Sequence, residues 1–69
     1  MTKNEIREKF MNDIVEITLK DGNIFKGRII DIFSNGHIRF STKNGTLYIP
    51  IEEVEEMKII DWFKMIFRT

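Results

Sequence analysis

The sequence predicts a mainly β domain: a short N-terminal helix, then five short strands bent into a small barrel. Three observations carry this reading. From Val15 the chain alternates with period two, Val15, Ile17 and Leu19 against Glu16, Thr18 and Lys20, the pattern of a half-buried strand. Asp21-Gly22, Asn35-Gly36 and Asn44-Gly45 punctuate it with dipeptides that favour tight hairpin turns. Past Ile29 the alternation slips, as it does where a strand bends or bulges.

The elements follow in order. Thr2-Lys3-Asn4-Glu5 has capping-box spacing, a hydroxyl followed three residues later by a carboxylate. Ile6 and Phe10 recur at i and i+4 beside Met11, so a helix is predicted over residues 3–11. One apolar stripe cannot hold so short a helix in isolation, and it must lie against the barrel. The barrel is expected over 13–60. Its second strand sets Phe25, Gly27 and Ile29 on one face and Lys26 and Arg28 on the other. Ile30, Ile32 and Phe33 continue neither face cleanly. Gly27 is therefore expected where the sheet curls hardest or where another backbone comes close.

After Asn35-Gly36, Ile38 and Phe40 point inward against Arg39 and Ser41, and Leu47 and Ile49 lie opposite Tyr48. Whether Tyr48 faces in or out is left open. Pro50 cannot donate to a ladder, so it ends its strand or lies on an edge. Ile51 to Glu53 suits a 3₁₀ turn, and Val54 to Ile60 a last strand with Met57 and Ile59 inward. Tight links and no linker or repeat make this one domain, a small SH3-like or OB-like barrel.

The tail over 61–69, DWFKMIFRT, is different. Trp62, Phe63, Met65, Ile66 and Phe67 are too many large apolar side chains for a free end. On a helix, Asp61, Lys64 and Arg68 would share one face. The segment covers the open end of the barrel, packs on the first helix, joins a subunit or protein contact, or lies on a membrane surface. The last is the least favoured.

Sixty-nine residues lie near the lower limit for a chain that folds alone. With no cysteine there is no disulfide and no Cys-based zinc site, which raises the expectation of a homo-oligomer. The absence of cysteine fits a reducing, cytoplasmic setting. The charged N-terminal stretch does not read as a signal peptide, and no apolar run approaches membrane-spanning length. Formal charge is zero, but residues 20–49 hold Lys20, Lys26, Arg28, Arg39 and Lys43 against Asp21 and Asp31. A duplex-DNA binder carries a much stronger basic bias.

Val15-Glu-Ile-Thr-Leu-Lys-Asp-Gly22 followed by Phe25-Lys-Gly27-Arg-Ile29 resembles the first signature of the Sm and Sm-like proteins, the group that includes bacterial Hfq. The preceding helix suits that family. Ile32, Ile38 and Phe40 fall where its pattern wants apolar residues, and Gly45-Thr-Leu-Tyr48-Ile-Pro-Ile resembles the short fourth strand of its second signature. The resemblance covers about residues 3–60. It implies an Sm-like (LSm or Hfq-like) barrel that assembles into a ring and binds single-stranded RNA through its loops. The polar loop groups differ. The family's acidic loop residue falls on Phe33, its loop asparagine on His37, and the Lys-His pair of Hfq on Ile49 and Pro50.

The RNA-binding candidates are Lys26, Arg28, Phe33, Asn35, His37, Arg39 and Tyr48, with Lys43 near the end of the patch. Cations meet phosphates, and a flat ring stacks on a splayed base. The plain alternative is a solvated face whose cations pair with Glu16 and Asp31, with Phe33 and Tyr48 in the core or an interface. Tyr48, Ile49, Met57, Trp62, Phe63 and Ile66 are the candidates for an oligomer interface, in which the strand ending at Pro50 pairs with a neighbour's last strand.

His37 is the sole histidine, and one imidazole makes no metal site without converging carboxylates. Glu52, Glu53, Glu55 and Glu56 lack calcium-loop chemistry. No nucleophile–base pair or phosphate-cradling glycine loop is present. Neither catalysis nor a cofactor is therefore expected. Two functions stay open: a ring-forming module for single-stranded RNA, and an SH3-like protein-interaction or structural module with no nucleic-acid role.

Overall fold

The computed structural model describes residues 2–60. One helix, α1 (Lys3–Lys9), precedes β1 (Val15–Leu19), β2 (Ile24–Ile32), β3 (His37–Thr42), β4 (Gly45–Pro50), a 3₁₀ turn (Ile51–Glu53) and β5 (Val54–Ile59). The strands form one antiparallel sheet in the order β4-β3-β2-β1-β5. It is not closed, and β4 and β5 are its edges.

The capping box forms as the spacing predicts. The Glu5 amide donates to Thr2 Oγ1 at 3.2 Å, and the Thr2 amide to Glu5 Oε1 at 3.1 Å. The helix stops two residues short of the predicted 3–11. Phe10 is its C-cap, and Phe10 and Met11 pack on the core from outside the helical span. Ile6 is fully buried and pins α1 to the sheet. Arg7 Nη2 and Lys3 Nζ reach the carbonyls of Ile32 and Ser34 at 3.4 and 3.3 Å, so α1 sits over the β2–β3 turn.

β2 changes neighbours midway. Thr18↔Ile24 to Val15↔Gly27 pair it with β1, whereas its pairing with β3 starts at Arg28↔Ser41. Gly27 is the last residue on the β1 side of that handover. A Cβ at Gly27 would collide with the Ser41 carbonyl oxygen and lie 2.9 Å from the Ser41 carbonyl carbon. Close approach of a second backbone, one of the two reasons the sequence offered, is thus why the position is glycine. The glycines of the three turn dipeptides, Gly22, Gly36 and Gly45, all take positive φ, which a side chain would strain.

The slip in alternation is a bulge. Ile29 pairs with Phe40 and Asp31 with Arg39, leaving Ile30 without a partner. Ile29 and Ile32 are both buried as a result, while Ile30 and Asp31 are exposed. A second shift on β5 sets Thr18 opposite Glu56 but Leu19 opposite Val54.

The core is Ile6, Val15, Ile17, Ile29, Ile32, Ile38, Phe40, Ile49 and Met57. Two expectations change here. Ile59 follows Met57 on the inward alternation, yet it is 48% exposed, because it ends an edge strand with one strand neighbour. Ile49 and Met57, offered for an oligomer interface, spend their side chains in the chain's own core; only their backbones reach the edges. Trp62, Phe63 and Ile66 lie outside the described residues. No helix among those described is long and apolar enough to cross a membrane.

Candidate nucleic-acid interface

The outward face of β2, β3 and β4 is built by pairing. Asp31 opposes Arg39, and Arg39 opposes Tyr48, so the three form one row across the sheet. Phe33, just past the end of β2, joins that row from the side. Its ring lies 6.1 Å from the Tyr48 ring at an interplanar angle of 16°, within the range of favourable offset aromatic pairs. Arg39 Cζ stands 5.8 Å from the Phe33 ring centre, close enough for a cation–π attraction.

The bulge makes this cluster possible. Were pairing to run regularly through Ile30, Asp31 would fall opposite Ile38 and point inward, and Phe33 would be re-phased with it. The turn is then fixed by its own bonds. The Phe33 amide donates to the His37 carbonyl at 2.8 Å, the Gly36 amide to the Phe33 carbonyl at 3.1 Å, and the Ile51 amide to the Gly36 carbonyl at 2.9 Å. The last bond locks the loop to the 3₁₀ turn.

Tyr48 faces out and is 61% exposed, which resolves the orientation the sequence left open. One ring face is covered by Phe33; much of the rest is accessible. Arg39 Nη2 lies 3.8 Å from Asp31 Oδ2, too far for a hydrogen bond. A pair this exposed contributes about 0–1 kcal/mol. Arg39 Nε is buried with no hydrogen-bond partner among the described residues, as is His37 Nδ1. That Nε is too deep to serve a ligand; the Nη atoms, on a side chain 37% exposed, are the donors open to one.

The seven RNA candidates separate into groups. Phe33, Arg39 and Tyr48 are in direct contact. Asn35 and His37 adjoin them in the turn, but Asn35 Oδ1 already accepts the His37 amide at 3.1 Å. Lys26 and Arg28 lie outward on an earlier part of β2, opposite Glu16 and Ser41, and make no contact with the aromatic pair. Lys43 is exposed in the β3–β4 turn. The expected cross-strand pairing occurs for Arg39 with Asp31. Glu16 instead takes Lys58 at 3.1 Å, and that hydrogen bond, with the charges of Glu16 and Glu56, raises the Lys58 pKa.

Sequence reasoning passed over Lys3 and Arg7, which bring two more cations to the carbonyls beside Phe33. Their i, i+4 spacing on one side of α1 was the available signal. Glu52, Glu53, Glu55 and Glu56 are all exposed. Among the described residues, no three His, Asp or Glu side chains are placed to hold a metal. No family model, no curated protein and no solved structure matches the chain.

Proposed function

We propose that this chain is an Sm-like barrel module that assembles by edge-strand pairing and binds single-stranded RNA. The observation that carries the RNA reading is the near-parallel Phe33–Tyr48 pair flanked by Arg39. A base stacks on the accessible part of Tyr48, and the free donors of Arg39 meet a phosphate or a base carbonyl. Such stacking is worth about 1–3 kcal/mol per base and tolerates any sequence. Lys3 and Arg7 add positive potential at the turn.

Support for the barrel is the strand order, with β2 shared between two sets of neighbours around Gly27. Support for assembly is that the same order leaves β4 and β5 as opposite edges, and unpaired edges invite pairing with another chain. A β4–β5 contact between copies is head-to-tail, and closes into a ring when the rotation permits. Several neutral protomers then present several platforms to one strand, and avidity replaces a strong basic field.

The experiment is a titration of labelled oligo-U and oligo-A at low and moderate salt, with native mass spectrometry of the same sample. Micromolar affinity that falls as salt rises, on an assembly of several chains, is expected. No binding at micromolar protein, or binding indifferent to salt, overturns the RNA reading; a clean monomer overturns the ring. The zero formal charge and Asp31 beside Arg39 favour the second reading, an SH3-like module that contacts a protein through its edges or tail. An assembled protein that ignores RNA is its signature.

A further inference from the structure

An open groove of about 1250 Å³ runs along β2 from Ile24 to Ile30 and beside the β3–β4 turn. Met11, Ile14, Ile24, Phe25, Ile30 and Leu47 supply its apolar wall. Ile24 and Ile30 are 56% and 45% exposed there, two of the four large apolar side chains exposed on the described surface. The volume exceeds the roughly 300–1,000 Å³ of a drug-sized site, and Lys26, Arg28 and Lys43 line it with no acid among them. A length of apolar peptide suits it better than a small ligand.

We propose that the groove is the docking site for residues 61–69 of the same chain. The segment starts at the groove: the Ile60 amide donates to the Ile14 carbonyl at 2.9 Å, and Ile14 is part of the wall. Nine residues follow Ile60, five of them Trp62, Phe63, Met65, Ile66 and Phe67. Nine residues span at most about 30 Å when extended, enough to run along the groove. A tether this short holds the segment at roughly millimolar effective concentration, which favours its own groove over a neighbour's. The proposal does not depend on RNA binding.

Trp62 is the sole tryptophan, so its fluorescence in the full chain reads the segment directly. A blue-shifted emission maximum and low acrylamide quenching are expected, unchanged on dilution from micromolar to nanomolar protein. Ile24→Ser with Ile30→Ser, both at exposed positions, should red-shift the maximum and raise quenching at least twofold with the far-ultraviolet dichroism unaltered. Because the chain has no cysteine, Lys43→Cys gives a second measurement: a short-range quencher coupled at that position should extinguish most of the Trp62 signal. Water-like emission in the full chain overturns the proposal, as does an undiminished signal with the quencher in place. A blue shift that disappears on dilution overturns it in favour of a second copy as the source of the segment.

Discussion

The two halves of β2 share one backbone and end in different surroundings. From Ile24 to Gly27 the strand pairs with β1, and its flank opens onto a groove that continues as far as Ile30. From Arg28 to Ile32 it pairs with β3, and the outward residues beyond the bulge meet Arg39 and, through it, Phe33 and Tyr48. The first half shows surface still wanting a cover. The second shows a cluster already organised, with spare donors and one accessible ring. Division of labour along a single strand follows from one close approach and one inserted residue, not from a change in composition.

The largest test of this division is Gly27→Ala. The added methyl meets backbone, not a movable side chain, so the halves would have to separate. A loss of about 3 kcal/mol or more is expected, at the upper end for overpacking and a large share of the stability of so small a domain. Denaturant unfolding checks it. An unchanged midpoint would mean that the two backbones are not held together at this point.

Tyr48→Ala acts on the second half alone. Its side chain is outside the core, so the unfolding free energy should change by less than about 1 kcal/mol. Oligo-U affinity should fall by roughly 5- to 150-fold, the equivalent of one lost stack. If affinity is retained, the aromatic row is not the contact surface. Fluorescence anisotropy and thermal unfolding on the same preparation separate these results.

Lys58→Met should produce the smallest change. Lys58 pairs with Glu16 across β1 and β5, and salt screens a pair whose lysine is so exposed. Its pKa is raised above the ordinary value of 10.5 by the Glu16 hydrogen bond and by the charges of Glu16 and Glu56. The stabilisation is therefore complete below 10.5 and is lost as pH rises through the higher folded value. Wild type and variant should differ slightly at neutral pH and converge in alkali; a gap that widens in alkali would contradict the pairing.

Much of this fold was legible because its signals are local. The capping box needs four residues, each turn dipeptide needs two, and alternation needs one strand. The slip after Ile29 announced the bulge, and Gly27 announced the tight approach. What escaped depends on distant neighbours. Ile59 is exposed because its strand is an edge, which no stretch of sequence states. The exposure of Tyr48 and its stacking on Phe33 require β3 between them in the right register. Lys3 and Arg7 find carbonyls more than twenty residues away. Helix length was overstated because apolar periodicity continues through Phe10 and Met11, which pack on the core after the helix has ended.

The unpaired residue at position 30 also bears on how this chain can change over time. Its role in the architecture is arithmetical: one extra step shifts the phase so that Ile29 and Ile32 both turn inward. Substitution there keeps the bulge, and deletion would set Asp31 directly after Ile29 in regular pairing, with Asp31 still outward opposite Arg39 and Ile32 still inward opposite Ile38. The site should therefore accept change of residue type and loss of the residue alike, the second at the expense of the local bend alone.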